Sequence, residues 1–98
     1  MRERVKRGAA FLDRHLPGWA ARVDPGSIEQ QDYYRCVLGQ LHGTFGQGLD
    51  WMDACEKNSD ANEAEDYGFS LWNVDKVAWA ELTALWREQV GARGAAGG

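Results

Sequence analysis

At 98 residues the chain can build one modest hydrophobic core and not two. Its apolar and charged fractions, 44% and 27%, are those of a globular protein and argue against global disorder. A net charge of −4 argues against a simple phosphate binder, because diffuse nucleic-acid affinity needs an excess of clustered Lys and Arg.

Residues 2–16 are predicted to form an amphipathic helix. Val5, Ala9, Leu12 and Leu16 recur at the spacing that lines up one face, with Arg2, Arg4, Lys6, Arg7 and Arg14 around the rest. Phe11 falls off that stripe and must either touch a second neighbour or face solvent. Pro17-Gly18 stops the helix, since proline cannot extend it and Pro-Gly favours a tight turn. Trp19 and Val23 then allow one short helical turn. Asp24-Pro25-Gly26 is a turn signal, proline fixing φ and glycine accepting positive φ. Two starts for the next helix fit the capping rules, Ser27 with Gln30 or Asp32; the expected start is near Asp32.

The central stretch "RCVLGQLHGTFGQGLDWM", residues 35–52, has helical apolar spacing yet carries Gly39, Gly43, Gly46 and Gly48. At 100° per residue, Tyr34, Leu38, Leu41, Phe45, Leu49 and Met52 share one arc. Tyr33, Val37, Thr44 and Trp51 share a second, and Cys36, Gly39, Gly43 and Gly46 a third. Such an element belongs in the middle of a fold, with neighbours on every side. Each interior glycine costs about 0.5–1 kcal/mol relative to alanine. The expected compensation is close packing: the stripe Gly39, Gly43, Gly46 admits the indoles of Trp79 and Trp86. A break is also compatible, with Gly43 ending one helix and Thr44, followed by Gln47, capping another.

Residues 56–66, "EKNSDANEAED", are expected to be a polar, acidic loop, and "YGFSLW" (67–72) an irregular extended segment. "NVDKVAWAELTALWREQV" gives the clearest helix, with Val74, Ala78, Leu82 and Leu85 on one face and Trp79, Trp86 and Val90 along its edge. Gly91 is expected to stop it, leaving residues 91–98 as a flexible Gly/Ala tail after a single domain over 1–90. The fold class expected is therefore all-α (mainly α): a small single-domain bundle of three to four helices around a central Gly-rich helix.

The chemistry is sparse. Cys36, His42, Cys55 and His15 lack the close pairs of a zinc site, and Cys36 and His42 would point about 120° apart on a continuous helix, which also defeats a nucleophile–base pair. Asp60, Asn62 and Glu65 resemble a calcium loop, but Ala64 and Glu65 stand where a ligand and the turn glycine belong. No catalytic residue, metal or cofactor is expected. "GAAFL" is too short for the core of an export signal, and the charge-free run from Cys36 to Leu49 is shorter than the about 18 apolar residues of a membrane span. Two cysteines without an export signal are expected to be reduced, which points to the cytoplasm.

What stands out is the aromatic surplus, five Trp, three Tyr and three Phe, more than so small an interior hides easily. Phe11, Tyr33, Trp51 and Trp72 lie off the main stripes or in irregular segments and form the candidate interaction surface. The favoured function is a non-enzymatic interaction module that binds a protein partner or itself. The alternatives are a nucleic-acid-associated protein using the basic first helix, or a mimic of nucleic acid built on the acidic residues between 50 and 75.

"RGAAFLDRHLPGW", "RCVLGQLHGTFGQGLDW", "YGFSL" and "LTALWREQV" together resemble a group of small uncharacterised proteins of actinobacteria and their phages. The resemblance covers most of residues 7–90, with "RCVLGQL-x-G" its most specific block. It implies an intracellular bacterial or phage setting, with a phage-encoded binder of a host protein as one form of the module, and no mechanism.

Overall fold

The structure, a computed structural model, describes residues 1–55, 63–71 and 75–97. All regular structure among them is helical: α1 (Arg2–His15), two 3₁₀ turns (Trp19–Arg22 and Pro25–Ser27), α2 (Val37–His42), α3 (Phe45–Cys55), α4 (Glu63–Asp66) and α5 (Lys76–Gly97). The chain is an all-α protein. Among the described residues five α-helices exceed the expected three to four, because the central segment is divided and part of the acidic loop winds into α4.

Helix α1 buries Val5, Ala9 and Leu12 as the periodicity predicts, and Phe11 with them. Off-stripe Phe11 is fully buried because it meets a second set of neighbours: its ring lies 5.6 Å from Trp51, edge-on, and 5.2 Å from Tyr67. Helix α1 thus packs on α5 and α4, and Phe11 adds a contact to α3 and to the turn after α4.

The central segment starts later than expected and breaks in two. Residues 32–35 form a turn, not helix, because the Asp32 carboxylate accepts from the Tyr34 and Arg35 amides and holds the backbone bent. Helix α2 is capped instead by Cys36, whose Sγ accepts from the Gly39 amide at 3.2 Å. It ends at Gly43, where φ is +104°, and the Thr44 hydroxyl accepts from the Gln47 amide at 3.1 Å to open α3. The two helices pack against each other, with Gly48 lying under Leu38: a methyl on Gly48 would come within 2.6 Å of Leu38 Cβ.

The expected occupants of the glycine stripe are not there. A methyl at Gly39 would strike the Tyr34 and Tyr33 carbonyls (2.6 and 2.8 Å), one at Gly43 the Gln47 side chain, and one at Gly46 the Tyr33 hydroxyl. Neither Trp79 nor Trp86 supplies the nearest atoms at these positions. Gly39 and Gly46 do make room, but for the turn that precedes them in sequence, and Gly43 faces Gln47. Trp86 finds its slot on α1: a methyl at Gly8 would meet its Cη2 and Cζ2 at 2.9 and 3.0 Å, and the Tyr67 carbonyl closer still.

Trp86 is the centre of the core. Its ring stacks on Phe69 (centroids 5.0 Å, planes 14° apart), meets Trp19 edge-on at 6.0 Å, and its N–H donates to the Gly68 carbonyl at 2.6 Å. That carbonyl is presented by the turn ending α4, a Schellman motif: the Gly68 amide donates to Glu65 O, the Phe69 amide to Ala64 O, and Gly68 has φ +74°. "YGFSL" is thus a helix stop that delivers Phe69 to Trp86, followed by irregular chain through Leu71.

Gly91 does not end α5, which runs to Gly97. The extra turns are tied down: Arg93 donates to both carboxylate oxygens of Asp13 at 2.9 and 2.7 Å, lies 5.5 Å from the Trp19 ring centre, and bonds Gln89. This tertiary anchor offsets the low helix propensity of glycine, so residues through Gly97 belong to the helix rather than to a separate tail.

Candidate functional site

The four aromatics singled out from the sequence do not form one surface. Phe11 is core. Trp51 is half-buried between Phe11 and His42, whose ring lies 4.5 Å away and tilted by 31°. Trp72 lies outside the described residues. Of the three that are described, Tyr33 alone is largely exposed, at 51%, and its companion is Tyr34, 66% exposed with its ring edge-on at 5.5 Å. On a continuous helix Tyr34 would share an arc with Leu38, Leu41 and Phe45. Once Asp32 bends the chain, that phase no longer applies.

This tyrosine turn is built from below by the small residues of α2 and α3. Gly39 leaves space for the Tyr33 and Tyr34 carbonyls and Gly46 for the Tyr33 hydroxyl. The Phe45 amide donates to the Tyr33 carbonyl at 2.8 Å, fixing the turn to the start of α3, while the Cys36 amide donates to the Asp32 carbonyl. Asp32 is held below the ordinary carboxylate range by its bonds from the Tyr34 and Arg35 amides, so it stays ionised at neutral pH.

Beside the turn lies a cleft of about 200 Å³, walled by Tyr33, Phe45, Phe69 and Trp79 with Gln30 and Ser70 as polar groups. A second cleft of about 180 Å³ continues along α5 toward Lys76 and Thr83 and shares Gln30, Gln31 and Trp79 with the first. Of the two glutamines common to both clefts, Gln30 is the buried one, only 4% exposed. Its backbone amide donates to the Thr83 hydroxyl at 3.1 Å. Its side-chain oxygen accepts from the Val37 amide at 2.8 Å, and since a backbone N–H can only donate, the amide cannot be flipped. The Nε2 group therefore points away from Val37, and it has no hydrogen-bond partner among the described residues. A buried donor left unpaired costs about 1–3 kcal/mol. Sequence reasoning weighed Gln30 only as a helix-capping partner; nothing in its local spacing marks it as buried.

The other polar candidates are dispersed or engaged. Cys36 is buried as a helix cap, with burial pushing its thiol up, and Cys55 is also a free thiol. Among the described residues no three His, Cys, Asp or Glu side chains converge as metal ligands, and no helix is long and apolar enough to cross a membrane. On the basic face of α1, Arg2 pairs with Glu88, Arg4 with Glu65 and Lys6 with Glu3, while Arg14 lies over the Phe11 ring. Comparison of the chain with protein-family models, with curated proteins and with solved structures returns no match.

Proposed function

We propose that the chain is a non-enzymatic interaction module that holds a partner protein at the Tyr33–Tyr34 turn and the cleft beside it. The observation that carries this reading is the pair of exposed tyrosine rings on a turn whose backbone is already fixed by Asp32, Phe45 and two glycines. Exposed aromatics of this kind dominate protein interfaces, and a pre-set backbone loses little further entropy on binding. The site's carboxylate supports the non-enzymatic reading, since Asp32 is committed to its own backbone amides and stays charged, unsuited to trading protons near neutral pH.

A nucleic-acid role is the weaker reading. Three of the bases that would meet phosphates already face carboxylates of the same molecule. The resemblance to proteins of actinobacteria and their phages supports a bacterial cytoplasm as the setting and a host protein as the partner.

The test is capture from an actinobacterial lysate with a photo-crosslinking residue at position 34, run beside the Tyr33→Ala/Tyr34→Ala variant as competitor. One stoichiometric product should form, competed by wild-type chain and not by the double variant. Equal competition by both, or no discrete product together with a monomer by light scattering, refutes the proposal. A product that is a second copy of the chain would make the partner the protein itself.

A further inference from the structure

We infer that the cleft walled by Tyr33, Phe45, Phe69 and Trp79 seats the guanidinium of an arginine side chain on the partner polypeptide. This rests on the interaction-module reading and names the side chain that the module recognises.

The walls are aromatic. The Tyr33 and Phe45 rings stand at 66° to each other with centroids 6.4 Å apart, so they make a corner and not a stack. Phe69 has one face on Trp86 and meets the cleft by its remaining side, and half-buried Trp79 completes the lining. Aromatic residues around one opening attract a cation, because each ring is negative on its face, and indole attracts it most.

Charge points the same way. Asp32 is the one charged residue that lines this cleft. Its Oδ1 takes both turn amides and its Oδ2 takes no bond among the described residues, while the group stays ionised. Arg35, whose pull on Asp32 is the weakest of those acting on it, lines neither cleft, and Lys76 lines only the neighbouring one. A ligand carboxylate would meet like charge here, and an apolar side chain would leave Asp32 unanswered.

Size and hydration choose among cations. A cavity of about 150 Å³ takes up benzene, so a cleft of about 200 Å³ admits a planar guanidinium with part of its stem. Guanidinium is more weakly hydrated than ammonium and stacks on aromatic faces, so an aromatic lining with a single acid favours arginine over lysine. Arginine is also among the side chains that most often anchor protein interfaces.

The test is an NMR titration of the unmodified chain with N-acetyl-arginine N-methylamide, following the Trp79 indole N–H and the Phe45 amide. Both signals should move together and saturate in the millimolar range. The lysine analogue should bind more weakly, and the norleucine and glutamate analogues should not saturate. Asp32→Asn keeps an oxygen for the Tyr34 and Arg35 amides and removes only the charge; it should weaken the arginine probe by about two- to fivefold. Trp79→Leu keeps apolar bulk and removes the indole face, with a loss of about two- to fivefold again. No saturable shift, a norleucine or lysine probe that binds as tightly, or arginine binding unchanged in both variants overturns the inference, even where crosslinking at position 34 captures a partner. In a captured partner, replacing the arginine nearest the crosslink by alanine should abolish capture, and retained capture likewise overturns it. Arginine binding with no captured partner overturns the polypeptide as its source and the interaction-module reading with it.

Discussion

Replacing Gly8 by alanine tests the packing of the core directly. The change should help α1 by about 0.5–1 kcal/mol, the usual gain from removing an interior helical glycine. Against this, the new methyl would sit 2.9–3.0 Å from two carbons of Trp86 and nearer still to the Tyr67 carbonyl. Neither can yield easily. Trp86 is fully buried, stacked on Phe69 and bonded through its N–H to Gly68, and the Tyr67 carbonyl belongs to a turn whose next residue, Gly68, already lies against the backbone of Val5. Overpacking of this kind costs about 1–3 kcal/mol, and contact with backbone places it at the upper end. The net expectation is a loss of about 1–2.5 kcal/mol, or a Tm lower by about 4–20 °C for a chain of this size. Gly91→Ala is the matched control: nothing lies within 4 Å of its added methyl, so the same propensity gain should appear undiminished as a Tm raised by about 2–8 °C. Thermal and urea unfolding followed by circular dichroism measure both. A Gly8→Ala protein as stable as wild type, with Gly91→Ala behaving as expected, would refute the close approach of α1 to Trp86.

Asp13→Ala should destabilise by about 1–3 kcal/mol, since it leaves the buried Trp19 N–H, now bonded to Asp13 at 2.8 Å, without an acceptor; Arg93→Ala leaves that bond intact and should cost under about 1 kcal/mol in urea titrations. Burial, with a smaller push from Arg22, lowers the pKa of His42 below its ordinary 6.5, so the unfolded chain binds the extra proton first. Stability should therefore be complete above pH 6.5 and decline as pH falls below it, and His42→Phe, which keeps a ring on Trp51, should flatten that part of the urea-midpoint profile. The Asp13 carboxylate, held down chiefly by Arg93, adds a separate loss only in acid below 3.8. Cys36, buried and with its thiol pushed up, should resist alkylation in native protein and react fully in urea, as mass spectrometry of labelled peptides would read.

Periodicity and capping chemistry made much of the fold legible. The stripe of α1, the Leu82–Leu85 part of the face of α5, the Asp24-Pro25-Gly26 turn and the Thr44 start of α3 follow from local rules, and Asp24 does accept from the Gly26 amide; Val74 lies outside the described residues. What local rules do not carry is the identity of a neighbour. The glycines of the central segment announced a surface without side chains, yet whether an indole or a tyrosine turn fills it depends on how Asp32 bends the chain, a choice between two capping options of similar strength. Gly8, in contrast, looked like an ordinary weak point in a helix, because the ring it accommodates is 78 residues away in sequence. Gln30 escaped notice for the same reason: its partners Val37 and Thr83 lie on two different helices. The candidate site is assembled from Gln30–Tyr33, Phe45, Phe69 and Trp79, four separate stretches, and only Tyr33 and the aromatic surplus hinted at it.

The pairing of α1 with α5 also fixes when the molecule becomes whole during synthesis. Val5, Ala9 and Leu12 leave the ribosome well before Leu82, Trp86 and Val90, which share their core. Until then the nascent chain carries an apolar stripe with no lasting cover, an invitation to chaperones. Collapse of this core then waits on α5 and requires closing a long loop, which slows folding relative to a chain of local contacts.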